Sequence, residues 1–180
     1  MKIVLLVLII VFAFWVSGVI RDNDFIISLI KRFGYAGIFI IAVVGGLNLI
    51  VPVPAFSFFP VFFSSGLDVL TVVIITAAGM TFADFIGYLL GKTGRHIALP
   101  ALEKRMVGSL EKFKNRIHWS PALVLFLFAS FAPIPNEVVV IPMAFLGYRF
   151  SYIMLPVFFG NMVFNALYAA GVINVLKLIN

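Results

Sequence analysis

Two Pro-x-Pro tripeptides, Pro52-Val53-Pro54 and Pro133-Ile134-Pro135, interrupt long apolar runs 81 residues apart (52 to 133). Each is followed, twelve residues after its second proline, by a glycine, Gly66 and Gly147, and the same offset carries Gly79 onto Gly160 and Asp84 onto Asn165 without a gap. The pattern reads as an internal duplication. Proline lacks the amide donor and clashes with the preceding turn, so neither run continues through its tripeptide as one regular helix. Inside a bilayer, a broken helix persists only where protein or a water-filled cavity satisfies the freed backbone groups. The chain is therefore expected to fold around two facing breaks.

Composition identifies the solvent. Of 180 residues, 63% are hydrophobic and only 11% charged, and the apolar runs are too long and too many for a soluble domain of this size. An all-α integral membrane protein is expected, forming a single membrane domain. The absence of cysteine excludes a disulfide framework and thiolate metal ligation, and says nothing of the redox compartment. The net charge is +6, and seven of the thirteen Lys and Arg residues (Lys92, Arg95, Lys104, Arg105, Lys112, Lys114 and Arg116) fall in one connecting segment. Their setting between apolar runs favours anionic lipid over nucleic acid as the partner.

Residues 3–20 form an uninterrupted apolar stretch behind Lys2, long enough to span and without a small-x-small cleavage pattern after it, so a retained transmembrane helix is expected. Residues 22–34 follow as a short interfacial helix, with caps at Asp22-Asn23-Asp24 and a left-handed stop at Gly34. Residues 35–66 read as a re-entrant hairpin broken at the first tripeptide, and 69–90 as a full span ending at Gly91-Lys92. In the connector, 92–119, the apolar residues Leu102, Met106, Leu110, Phe113 and Ile117 recur at spacings of three and four with charges between them, the mark of an amphipathic helix lying on the membrane. Residues 121–147 form a second re-entrant hairpin and 150–173 a final span.

A single full span between two hairpins makes their orientations opposite, so the expected repeat is inverted. With the amino terminus inside, Lys2, Arg149 and the seven connector residues are cytoplasmic, nine in all, against Arg21, Lys31, Arg32 and Lys177 outside. That distribution obeys the positive-inside rule. Short length and the lack of extended termini suggest the plasma (inner) membrane of a prokaryote.

Asp84 and Glu137 are the two acidic residues within expected hydrophobic depth, and an intramembrane ionisable group is costly enough to be a functional candidate. Their structural alternative is helix-to-helix bonding across a packing seam. Thr81, Asp84 and Tyr88 share one helical face, as do Asn161, Asn165 and Tyr168 on the last span. Thr81 and Asn161 are expected mainly to satisfy carbonyls freed by the hairpin breaks, whereas Asn165, paired with Asp84 by the repeat, is an even candidate for the groove. His96 and His118 sit among connector charges and are read as solvated, with no metal-ligand spacing around them. Trp15 and Trp119 suit interface anchors, and the twenty-one phenylalanines suit lipid contact and packing.

The run Ala83-Asp84-Phe85-Ile86-Gly87-Tyr88-Leu89-Leu90-Gly91-Lys92-Thr93-Gly94 resembles the Asp-x-x-x-Tyr-x-x-Gly-basic-x-x-Gly pattern of the DedA/VTT-domain (SNARE-associated Golgi protein) membrane family. Ala132-Pro133-Ile134-Pro135-Asn136-Glu137, then Gly147-Tyr148-Arg149-Phe150 and Gly160-Asn161, look like that family's second hairpin and following helix, so that the resemblance extends from Phe33 to about Gly171. It implies two opposed re-entrant hairpins and lipid movement between leaflets, with phospholipid or polyprenyl phosphate as substrate. It also implies a groove lined by Asp84, Glu137, Asn136, Asn165, Tyr88, Pro52, Pro54, Pro133 and Pro135, with Lys92, Arg95 and Arg149 attracting headgroups. Bacterial members usually carry a glutamate after the first tripeptide, where this chain has Ala55-Phe56, and arginines flanking the second, where it has Ser130 and Asn136-Glu137. What remains is closer to a scramblase, in which a polar groove passes the headgroup and no energy source is needed.

The expected function is thus a lipid scramblase or flippase without cofactor or metal. An ion- or proton-coupled transporter of small solutes and a non-transporting membrane scaffold are the competing readings. An enzyme is disfavoured because no nucleophile is accompanied by a base or a metal-site spacing. The connector generates a direct test: a peptide of residues 100–119 should become helical on anionic vesicles, with binding that weakens in salt, and Leu110→Glu should release it. A peptide that stays unstructured and unbound removes the amphipathic helix.

Overall fold

A computed structural model describes residues 28, 32–47, 55–64, 66–97, 121–132 and 134–179. The expected first span at 3–20, most of the interfacial helix, Pro52, Pro54, Pro133 and the connector beyond residue 97 lie outside these residues, as does the side chain of Arg95. Among the described residues the fold is entirely helical. Helix α1 (Tyr35–Gly46) is followed by a 3-10 turn (Ala55–Phe58) that runs into α2 (Phe59–Ser64); then come α3 (Val69–Ile97), α4 (Pro121–Phe131), α5 (Glu137–Phe145) and α6 (Phe150–Ile179). Two stretches, Val69–Gly94 and Phe150–Asn174, are long and apolar enough to cross a membrane.

The described residues gather into two compact units, drawn from Met1–Met80 with Asn165–Asn180 and from Thr81–Phe164. The first unit is centred on Ile38, Phe58, Phe59, Phe62, Val72, Val73, Ala169 and Val172. Tyr168 packs there against Phe56 and Phe59, at ring-centroid distances of 4.6 and 5.9 Å. The second unit is centred on Tyr88, Leu125, Val140, Met143, Ala144, Ile153 and Val157, with Phe85 and Tyr88 both edge-on to Phe150.

Local chemistry sets the helix boundaries. Gly66 and Gly147 adopt φ of 75° and 83°, which side chains with a Cβ rarely enter, and each N–H donates three residues back, to Phe63 and Ala144. Both long helices start three residues later. At the first of them, Asp68 Oδ2 accepts from the Thr71 N–H at 2.8 Å and the Thr71 hydroxyl at 2.6 Å, satisfying a donor that the first turn leaves open. The Thr71 hydroxyl, and then its N–H, hold the Asp68 carboxyl below the usual carboxylate range.

Helix α3 outruns its expected end at residue 90, before Gly91-Lys92, by seven residues (90 to 97), through Ile97, and α6 continues to Ile179 rather than 173. Gly91 is not a stop: a methyl there would collide with the Ile141 carbonyl and come within 2.9 Å of the Ala144 Cβ. The glycine serves contact between helices. Helix α1 stops earlier than expected, at Gly46, behind a Gly45-Gly46 pair. Glycine is a poor helix former, so the pair ends the helix ahead of the prolines.

Two further glycines mark close backbone approach. A methyl on Gly79 would lie 2.6 Å from the Ala42 Cβ and 2.9 Å from the Phe39 carbonyl oxygen; one on Gly160 would lie 2.5 Å from the Ala129 Cβ and 2.9 Å from the Phe126 carbonyl oxygen. The same contact thus occurs in each unit. Its partners on α1 and α4 are 87 residues apart (42 to 129), against 81 for the glycines (79 to 160), so the segment ahead of the first tripeptide is six residues longer than its counterpart.

These contacts predict that Gly79→Ala and Gly160→Ala each destabilise the detergent-solubilised protein by about 1–3 kcal/mol. Gly171→Ala, with nothing within 4 Å, should be neutral or stabilising. Asp68→Ala should lower the Tm near neutral pH. Because the folded carboxyl titrates below its unfolded value, the difference from wild type should close as pH falls through the folded value.

Candidate functional site

The polar residues of the second unit converge on Asp84. Its side chain is buried in the middle of α3, and Oδ2 accepts from the Asn136 amide and from the Asn161 amide, both at 3.1 Å. The Asn136 Nδ2 also donates to Asn161 Oδ1 at 3.0 Å, and the Asn161 Nδ2 to the Thr81 hydroxyl oxygen at 3.0 Å. A carboxylate, two amides and a hydroxyl therefore form one hydrogen-bonded group, carried by α3, α6 and the turn that opens α5. Unmet, a buried carboxylate is costly; amide donors recover part of its lost hydration.

Asn136 reaches this group at the expense of its local role. It occupies the residue before α5, where an asparagine side chain usually accepts from the first turn, yet makes no such capping bond. Its carbonyl accepts from Val139 and Val140 while the amide donates to Asp84 and Asn161. Glu137 follows in the first turn of α5, where the helix dipole favours an acid, and is likewise buried. Its Cγ would lie 3.3 Å from a methyl on Gly87, so the glycine leaves room for it.

The expected groove residues divide. Asp84, Asn136 and Glu137 belong to the second unit, and the first two are directly bonded. Tyr88 also belongs to that unit, but its ring lies in the apolar core against Phe150. Asn165 lies in the first unit, where its amide donates to Met80 Sδ at 3.3 Å. Pro135 is half-buried beside Asn136, while Lys92 and Arg149 are exposed. Pro52, Pro54 and Pro133 fall outside the described residues.

Thr81 and Asn161 bond to other side chains around Asp84. The signal was present in the spacing of Thr81 and Asp84 on one helical face, but nothing in sequence alone aligned Asn161 with Asp84 instead of with Asn165. Ser57 and Thr76 add two buried hydroxyl oxygens in the first unit that meet no protein partner and carried no sequence signal. No group of three or more His, Cys, Asp or Glu suited to a metal occurs among the described residues.

Compared with models of protein families, with curated proteins and with solved structures, the chain matches none. The geometry around Asp84 therefore has to carry the functional argument.

A double-mutant cycle tests the group itself. Asp84→Ala and Asn161→Ala should be non-additive in thermal unfolding by about 0.5–1.5 kcal/mol, the range for a side-chain hydrogen bond. Strict additivity would remove the bond.

Proposed function

We propose that this chain is a multi-pass integral membrane protein of the DedA/VTT type that moves phospholipid between leaflets, with the group around Asp84 as its headgroup-facing site. The observation that carries this reading is the burial of a carboxylate among amides in helices whose outward faces are apolar. Leu70, Leu90, Leu155, Phe159 and Leu167 are each more than half exposed, between 53% and 65% of their surface. In water such faces would be an aggregation hazard; against lipid tails they are at home. Fewer than half the residues of each long apolar stretch are buried, 44% and 39%, which suits helices facing lipid on one side.

Several pairs of features at the 81-residue offset support an inverted repeat of two re-entrant hairpins. Helix starts at Val69 and Phe150, positive-φ turns at Gly66 and Gly147, and close contacts at Gly79 and Gly160 all correspond. The contact of Met80 with Asn165 corresponds to that of Asn161 with Asp84, with the order of partners exchanged.

The bonded neighbours of Asp84 are amides, not a guanidinium or ammonium group, and the next residue of the turn is the acid Glu137. A headgroup with ammonium or hydroxyl donors complements this side better than a bare phosphate. The proposed location is the plasma membrane with the amino terminus cytoplasmic, the basic connector resting on anionic headgroups, and exposed Lys92 and Arg149 on that side.

Flux in proteoliposomes decides among the readings. The purified protein should translocate fluorescent phospholipid without an ion gradient, and Asp84→Ala should reduce the rate at least ten-fold while remaining monodisperse. Asp84→Asn separates a titrating group, for which asparagine fails like alanine, from a polar lining, for which it substitutes. Wild-type flux from folded Asp84→Ala would sink the site. Ion-dependent solute uptake without lipid flux would point to a coupled transporter, and neither activity to a scaffold.

A further inference from the structure

The duplication permits a comparison of the two units position by position, resting on the repeat and lipid-transport reading above. Subtracting 81 carries Asn136 to Ala55, Glu137 to Phe56 and Asn161 to Met80, while adding 81 carries Asp84 to Asn165. The positions correspond in sequence, and the chemistry does not. In the second unit the set is a carboxylate held by two amides, with a second buried acid beside it. In the first unit, Ala55 and Met80 join Ala42 in an apolar cluster, Phe56 packs its ring on Tyr168, and Asn165 donates to the Met80 thioether. A thioether is a weak acceptor that favours apolar neighbours. The buried hydroxyls Ser57 and Thr76 do not alter the comparison, because their counterparts are Val138 and Val157, outside the set.

We propose that the repeat has become functionally one-sided: headgroup contact is confined to the second unit, Asn161 is a positioning residue that holds the Asp84 carboxylate for it, and the corresponding Met80–Asn165 joint is a packing contact. A symmetric pair of half-sites would need a polar residue at Ala55, Phe56 or Met80. None is present. The chain consequently offers a headgroup one acidic station, and at the matching positions of the other repeat Ala55, Phe56 and Met80 offer no charge and, beyond a thioether, no side-chain hydrogen-bonding group. Asn161, not Asn165, is the residue of the last helix on which transport depends.

The test compares counterpart substitutions in the full chain. In proteoliposomes with fluorescent phosphatidylethanolamine, Asn161→Leu should lower translocation at least ten-fold, whereas Asn165→Leu should stay within two-fold of wild type. A second readout follows Asp84 itself. Labelling by dicyclohexylcarbodiimide in detergent, read by mass spectrometry, should be suppressed by added dioleoyl phosphatidylethanolamine in wild type and Asn165→Leu, and not in Asn161→Leu. A purely structural Asn161 would leave that protection unchanged in folded protein. Should Asn161→Leu fail to give monodisperse protein, Asn136→Ala, which removes the other donor to the same oxygen, takes its place.

Equal loss of flux in folded Asn165→Leu and Asn161→Leu overturns the one-sided site, as does loss of protection in Asn165→Leu. If wild type moves no lipid, the transport reading falls by itself, and the labelling experiment still decides whether the polar station is single.

Discussion

A carboxylate taken out of water must be met by donors, and Asp84 draws both of its amides from elsewhere in the chain. Asn136 stands 52 residues away and Asn161 stands 77, so satisfying one oxygen atom binds the second tripeptide turn and the last helix to α3. The bonds are few, but they tie the packing to one arrangement. Apolar faces alone would allow the helices to slide or rotate at small cost. A buried carboxyl group would not, because any shift that separates it from its amides leaves it without donors.

Glycine provides the complementary constraint. Gly79, Gly91 and Gly160 each occupy a point where a neighbouring carbonyl or methyl comes so near that no Cβ fits. Close backbone approach maximises van der Waals contact between the helices. Glycine fixes how near the helices lie, and the amides around Asp84 fix their register.

The architecture was legible where it depended on period and punctuation. The offset linking Gly66 to Gly147 marked both turns before the long helices, and apolar run length located the two helices themselves. Boundaries failed where a glycine had a tertiary purpose: Gly91 looked like a stop because its contact with Ile141 is invisible in one dimension. The candidate site was half legible. Asp84 and Glu137 were evident as acids in apolar runs, and the resemblance to a known motif pointed to the residues after the second tripeptide. The bonded partner on the last helix, Asn161, was not evident, because a translational comparison singles out Asn165 as the counterpart of Asp84. Tyr88 shared a helical face with Asp84, but an aromatic ring of that size gains more from packing on Phe150.

The missing cap at α5 bears on how the protein is assembled. A nine-residue helix is too short to persist by itself, and this one begins without the side-chain bond that usually secures a first turn. The asparagine that would have provided it is engaged with Asp84 and Asn161. Asn161 is 25 residues further along, so the side chain that opens α5 is held by a segment made after it, and an early element of the second unit takes its anchorage from a later one.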